Sequence, residues 1–460
     1  MIDVDVNCES KITDMIKKIN KLVGLKKEEF DDYVDSGKIT LSESRLIPVL
    51  KTGDEMALTS IIMSSFRLVK EFKDQLFKEA KIKRGGKAYY YTEVCFKDVD
   101  KDSRIDGLIL VVVSGIIKDA AFVEVKNGKS LLSHDQIMKY YRLAQSLQNV
   151  PKIITISNEY VADSSNSPIQ IKNQSKKIEL YHFSWTYLKT IAQLLLFDND
   201  ENIRDEDQVE IMQEVLHYLD DEKSGVNGFH RMSSGWKEIV DKIKNQQSLS
   251  DKEVIYDAIS SWYEEEADMA LMLSRKLGTL VKSNKEKAIT RIEKDQKRLK
   301  NNHTLTSKMS VKGAVSDIKI IADFDRRTIM MSVYVNAPLD RGVIARISWL
   351  KNQLNHLQES NLSEYLFIEA DIKYTNNSIK YSHKNIDSFY EHEGIKDRDI
   401  IGFNVDLIKS AKFSQVSGFV NDIEDMLLDY YKNIVQNLKS WEKPAPKIQE
   451  LKVDIPSKEQ

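Results

Sequence analysis

Apolar residues recur along this chain in two periods, and the switches between them outline its elements. Over residues 53–80, Leu58, Ile62, Phe66, Val69 and Leu76 fall at helical intervals and predict one long helix. Residues 83–96 turn at Gly85-Gly86 and enter an aromatic strand. The β-branched run RIDGLILVVVSG (104–115) predicts a buried strand, and AAFVEVKN (120–127) its hairpin partner. A helix over 133–148, apolar strands over 151–158 and 176–185, and a helix over 186–197 follow. Together these predict an α/β domain over 51–200, preceded by an N-terminal segment, 1–50, of short helices and polar loops.

An acidic break, DNDENIRDEDQ (198–208), marks a boundary, after which 201–305 read as a helical domain ending in a strongly basic stretch. Residues 303–313 read as a linker. Residues 306–441 then read as a second, smaller α/β domain. It holds a β-hairpin with Asp325-Arg326-Arg327 at its tip, a helix capped by Asp340, strands near 365–374 and a closing helix over 420–441. The end, 442–460, reads as a frayed tail. Trp236, Trp262 and Trp349 sit in helical patterns and are expected in cores.

Composition narrows the function classes. The chain has 460 residues, 41% hydrophobic and 30% charged, an ordinary globular balance. Its formal net charge of -3 supplies no global field toward a polyanion, so any nucleic-acid contact must come from local patches. No apolar run is long enough to span a bilayer, so no membrane partner is expected. The acidic N-terminus, MIDVDVNCESK, is unlike a secretory signal. Cys8 and Cys95 belong to no CxxC or Cys/His cluster, which points to a reducing cytoplasm and away from structural zinc. There is no GxxxxGK[ST], GxSxG or HExxH stretch.

One strand interrupts its own apolar pattern. Glu124 and Lys126 stand two apart, so they project to one face while Val123 and Val125 face the core on the other. Lone buried charges are costly, so such groups pair or hold a metal. If 104–113 and 120–127 form a hairpin, Asp106 lies at the same end as Glu124. Two carboxylates beside a lysine make a hard-oxygen site suited to Mg²⁺ or Mn²⁺. Blander readings exist for each residue. Glu124 and Lys126 could be an ion pair on an edge strand, and RIDG is good turn chemistry. Ser133-x-x-Gln136 and Thr52-x-x-Glu55 both match capping boxes, and Tyr140 could be simple packing.

Asp106 followed by Glu124-x-Lys126 resembles the PD-(D/E)xK nuclease signature, with Ile105 in place of its proline. Gln136-x-x-x-Tyr140 on the next helix resembles the QxxxY element of the RecB-like branch, and the resemblance covers roughly 50–200. It implies a restriction-endonuclease-like mixed sheet core flanked by helices, followed here by the helical segment and the second α/β domain. It implies Asp106 and Glu124 as metal ligands, the Val125 carbonyl as a third, and Lys126 as the catalytic lysine. Gln136 and Tyr140 would orient the site or contact the backbone of the substrate. The family also uses an acid from the first core helix, for which Glu55 is the first candidate, with Glu71, Glu79 and Glu93 as rivals.

The implied activity is Mg²⁺- or Mn²⁺-dependent hydrolysis of nucleic acid, DNA before RNA, in a prokaryotic defence or restriction effector. The alternative is an inactive nuclease fold that binds nucleic acid or a partner protein; homo-oligomers are compatible with either. Candidate phosphate contacts are Lys285, Arg291, Lys294 and Arg298 in the basic stretch, and Arg326 and Arg327 at the hairpin tip. His182 reads as a structural strand histidine.

Overall fold

The computed structural model describes residues 19–46, 51–100, 103–128, 130–148, 150–161, 164–165, 167–171, 174–196, 203–283, 288–358, 360–374, 378–393, 395 and 399–443. They form a mixed α/β protein of two compact units. One unit comprises the described residues within Met1–Lys312, Ile318–Ile329 and Ser410–Leu428; the other those within Gly313–Asp317, Met330–Lys409 and Asp429–Gln460. These divisions do not fall at 200 or 305. Segments 318–329 and 410–428 belong with the first unit because Phe324, Phe413 and Phe419 close an aromatic cluster around buried Trp236 and Trp262.

One six-stranded sheet lies wholly within the first unit. Its elements run α1 (Lys27–Asp35), β1 (Ile39–Glu43), α2 (Glu55–Leu68), α3 (Lys70–Glu79), β2 (Lys87–Phe96), β3 (Arg104–Val113), β4 (Ile116–Val125), α4 (His134–Ser146), β5 (Lys152–Ser157), β6 (Glu179–Ser184) and α5 (Trp185–Leu196). Spatial order follows chain order, β1 to β6. Neighbours from β1 to β4 are antiparallel, and β4, β5 and β6 are parallel. The parallel step from β4 to β5 needs a crossover, and α4 is that crossover.

Both faces of the sheet are covered, which is why β3 and β4 are apolar on both sides. Ile109, Val111, Val123 and Val125 pack with α2, α3 and α5. Leu108, Leu110 and Phe122 pack on the opposite face with α1 and α4. Strand alternation therefore turns Asp106 and Glu124 toward α4.

Several local expectations change. The stretch 53–80 is two helices, not one, broken at Val69, whose backbone is extended (φ -112, ψ 103). Its break is fixed from outside: the Gln208 side chain accepts from the Lys70 N–H at 2.8 Å and caps the second helix. Residues 39–43, expected in a helical and loop segment, form a strand at the sheet edge. The expected linker contains strand β7 (Thr304–Met309), paired antiparallel with β8 (Ile318–Asp323). Leu305, Ser307 and Met309 are its buried alternate residues. Helices α6 (Glu206–Asp220), α7 (Ser234–Lys244), α8 (Lys252–Leu277) and α9 (Ala288–Asn302) take up most of the described residues between 206 and 302.

In the second unit, strands β9 (Thr328–Asn336), β10 (Leu366–Ile372), β11 (Ile379–Ser382) and β12 (Ile400–Ser410) adjoin in the order β11, β10, β12, β9. Helix α10 (Val343–Leu354) starts after Gly342 with no side-chain cap, so Asp340 does not cap it. The closing helix runs Val416–Asn433, and most of it, up to Leu428, belongs to the first unit. Among the described residues, no helix is long and apolar enough to cross a membrane.

Gly53 sets the entry to α2. Its φ is +79, and a Cβ there would lie 2.0 Å from the Lys223 carbonyl oxygen. Gly53→Ala is expected to destabilise the protein by about 2 kcal/mol or more; a urea unfolding midpoint equal to wild type would refute this close approach.

Candidate active site

Three elements end at one place. In the β3–β4 register Gly107 faces Val123, so continuing the ladder sets Asp106 opposite Glu124. Asp106 sits near the start of β3 and Glu124 near the end of β4. The chain leaving β4 must rise to begin α4, which brings Gln136 and Tyr140 over the same end. Crevices at the carboxyl ends of parallel strands are the usual ligand positions in such sheets.

The carboxylates are anchored differently. Asp106 Oδ2 accepts from the Val125 N–H at 3.0 Å, which ties the hairpin end together. The Asp106 N–H donates to the Tyr140 hydroxyl at 2.9 Å. Tyr140 is buried and packs edge-on against Phe122, 6.3 Å between centroids. Its packing and polar roles thus coexist. Glu124 is fully buried. Lys126 Nζ lies 2.9 Å from its Oε1 as an ion pair. Both Glu124 oxygens lack a hydrogen-bond partner among the described residues.

Lys126 is gripped from two sides. Its ammonium donates to Glu55 Oε2 at 2.9 Å. Its own N–H donates to the Ile156 carbonyl at 2.8 Å, and its carbonyl accepts from Trp185 Nε1 at 2.8 Å. Asn127 fixes the following turn by donating to the carbonyls of Gly53 (2.6 Å) and Ser224 (3.0 Å). Glu55 does not serve a capping box with Thr52: Asp54 is the N-cap and accepts from the Met56 N–H at 2.8 Å. That leaves the Glu55 side chain for Lys126. Ser133 stands at the N-cap of α4 without a side-chain cap bond, so Gln136 is not half of a reciprocal box either. Glu124 and Lys126 are not an edge pair, because β4 lies between β3 and β5.

Electrostatics follow from burial. Burial, then the Asp106 carboxylate, pushes Glu124 up to about 7, against the opposing Tyr140 hydroxyl and Lys126 ammonium. Burial also raises Asp106, with the Val125 N–H and Lys126 pulling the other way. For Lys126, burial favours the neutral amine but is outweighed by Glu55, Glu124 and Asp106, so its pKa is raised and the ammonium persists at neutral pH.

A cleft of about 660 Å³ opens here, lined by Glu55, Asp106, Lys126, Gln136 and Tyr140. The same cleft is lined by Glu93, Arg104 and Lys139. Of these, Arg104 and Lys139 escaped the sequence reading. Their signal was present: Arg104 precedes Asp106 by two strand positions, and Lys139 follows Gln136 by three helical ones.

Among the described residues, no group of three or more His, Cys, Asp and Glu side chains is arranged to hold a metal ion. Glu55 faces the ammonium rather than completing a third carboxylate ligand. Asp106 and Glu124 still fit a hard divalent cation, because a buried carboxylate with two unbonded oxygens lacks the compensation burial demands. His182 is buried, 2.8 Å from both Thr155 Oγ1 and the Glu159 carbonyl, and burial lowers it to about 4, so it is neutral and structural.

Among the described residues, none of the expected phosphate contacts lines this cleft. Arg291 is a correction: it is 3% exposed, paired in two places with Glu266 and stacked on Tyr263. Arg298 turns to Asp295 at 2.5 Å and Thr306 at 2.7 Å. The basic stretch therefore points part of its charge inward, because α8 and β7 present acids and hydroxyls to it. Lys294, Arg326 and Arg327 are exposed, with Arg326 3.3 Å from Asp323. Lys285 lies outside the described residues. No family model, curated protein or solved structure matches this chain.

Glu124 binds a proton in the folded state that it releases when unfolded, across the window from 4.5 to about 7. Stability contributed by this group is therefore present below 4.5 and lost as pH rises through 7, by on the order of a few kcal/mol. Urea titrations of wild type and Glu124→Gln across that window should diverge as pH rises, the variant becoming relatively more stable. Parallel curves would contradict the buried, protonated Glu124.

Proposed function

We propose that this protein is a metal-dependent phosphodiesterase acting on nucleic acid, with a first unit of restriction-endonuclease-like type. The observation that carries the reading is the convergence of Asp106, fully buried Glu124 and the Lys126 ammonium at one sheet end, under Gln136 and Tyr140. The PD-(D/E)xK and QxxxY resemblance supports it, and so does the mixed sheet with helices on both faces.

Asp106 and Glu124 are the residues that would hold Mg²⁺ or Mn²⁺. Such an ion lowers the pKa of bound water and neutralises charge on a phosphoryl oxygen. The rest is the work of the chain itself. Hydrolysis adds water across a P–O bond and concentrates negative charge on the phosphoryl oxygens at its most crowded point. Lys126 brings a fixed positive charge to that point, and Glu55 and the Trp185 bond keep it from wandering. Tyr140 holds the Asp106 backbone through the 2.9 Å bond, and Gln136 offers an amide to the substrate backbone. DNA is the expected substrate, and a defence or restriction role is the setting that suits such a chain. The alternative of a binding module without turnover has the same cleft, and the intact set of Asp106, Glu124 and Lys126 argues against it.

Purified protein incubated with linear and circular, single- and double-stranded DNA and RNA should cleave in Mg²⁺ or Mn²⁺ and not in EDTA. Asp106→Asn, Glu124→Gln and Lys126→Ala should each lower the rate by roughly a hundredfold or more. Absence of cleavage on every substrate, or cleavage that survives Lys126→Ala at full rate, would sink the enzyme reading.

Metal binding has its own readout. Mg²⁺ or Mn²⁺ at pH 7 should raise the thermal midpoint of wild type, since a ligand that binds only the folded state stabilises it by mass action. The shift should vanish in Asp106→Asn and persist in Glu55→Gln; an identical shift in Asp106→Asn would remove the cation from this site.

A further inference from the structure

The rim of the cleft carries an ion pair that the proposed hydrolysis leaves unexplained. Glu93 occupies a β-bulge. The β1–β2 register shifts between Thr40 and Ser42, where Glu93 and Val94 of β2 face a single residue of β1. Glu93 takes a left-handed backbone, φ 55, uncommon outside glycine. On its other side it lies opposite Asp106, between the pairs Thr92–Gly107 and Val94–Ile105. Bulges beside sites re-aim side chains, and this one turns Glu93 into the cleft.

Glu93 Oε2 meets Arg104 Nη1 at 2.7 Å. Arg104 is 62% exposed at its side chain while Glu93 is only 15% exposed. The guanidinium has five donors in a planar fork, so one carboxylate contact leaves most of the fork facing solvent. The Tyr140 hydroxyl that holds the Asp106 N–H also lies 3.5 Å from the Arg104 carbonyl. Exposed Lys139 lines the same rim from α4. Arg104 and Lys139 line the cleft together with the acids Glu55, Glu93, Asp106 and Asp135, so a phosphodiester chain entering it would find its cations at these two residues and at Lys126.

We infer that Arg104, with Lys139, forms a phosphate-binding subsite for the nucleic-acid backbone, and that Glu93 is the resident counter-ion that a substrate phosphate displaces. The inference rests on the nucleic-acid reading of the cleft. It assigns Arg104 a substrate contact beyond the scissile centre, and Glu93 a positioning role acting through Arg104. It also gives the left-handed Glu93 backbone a role, since that conformation sets the carboxylate beside Arg104.

The two residues should move binding in opposite directions. Full-length Asp106→Asn protein, which is expected to bind without cutting, is titrated with fluorescein-labelled single- and double-stranded DNA and RNA by anisotropy at several salt concentrations. Adding Arg104→Ala should weaken binding roughly tenfold and lower the slope of log K against log salt by about one, the signature of one lost phosphate contact. Adding Arg104→Lys should keep the slope while losing part of the affinity, since a point charge replaces the fork. Adding Glu93→Gln should tighten binding with no loss of slope, because the competing carboxylate is neutralised. An unchanged slope with Arg104→Ala, weaker binding with Glu93→Gln, or no binding to any of the probes would each overturn the inference. Because no turnover is read, the outcomes separate. Binding shifts as described from a protein that never cleaves would leave the subsite and remove the nuclease. Normal cleavage by wild type with unmoved binding in Arg104→Ala would remove the subsite alone.

Discussion

A fully buried carboxylate near the end of a core strand sets the terms for everything around it. Glu124 sits between β3 and β5, with apolar neighbours along its own strand, so its charge cannot be hydrated. The protein answers with the ammonium of Lys126 at 2.9 Å and with a pKa pushed up to about 7. Neither answer is complete, because both carboxylate oxygens still lack a hydrogen bond among the described residues. Buried polar groups are nearly always satisfied, so this pair is less fully compensated than most buried charges of the fold.

Buried Lys152 and Asp119 offer the contrast within the same sheet. Their ammonium donates to both carboxylate oxygens, at 2.9 and 3.1 Å, and Asp119 also accepts from the Lys83 N–H at 2.8 Å. That arrangement is saturated. The Glu266–Arg291 cluster is saturated in the same way, by a forked guanidinium and the Ser307 hydroxyl. Charges of the same types are thus fully bonded in two places and incompletely bonded in the third. Their environment makes the difference, since residue type is shared.

Much of the positioning is remote from the chemistry. The turn that carries Lys126 is held by Trp185, by Asn127 reaching to Gly53 and Ser224, and by the Gly128 N–H donating to the Gly225 carbonyl at 2.8 Å. Residues near 224, which composition assigns to a separate helical domain, are therefore part of the frame of the candidate site. This is the physical reason the acidic break near 200 is not a boundary between compact units. A polar surface loop and a linker look alike in composition, and only contacts made by the flanking helices distinguish them.

Residue spacing alone determined the two-residue alternation of Glu124 and Lys126, the hairpin that brings Asp106 to the same end, and the helix that carries Gln136 and Tyr140. These depend on backbone periods, which are local and steric, so the chain states them directly. Tertiary structure alone decided the rest. The helix break at Val69 depends on a side chain far along the chain, and Thr304–Met309 became a strand because β8 was there to pair with it. Glu55 met an ammonium instead of a cap, Arg291 turned inward to Glu266, and Arg104 joined the rim opposite a strained Glu93. Each of these is set by which distant partner arrives within hydrogen-bonding reach, and reach between remote segments is a property of the packed fold that no local pattern encodes.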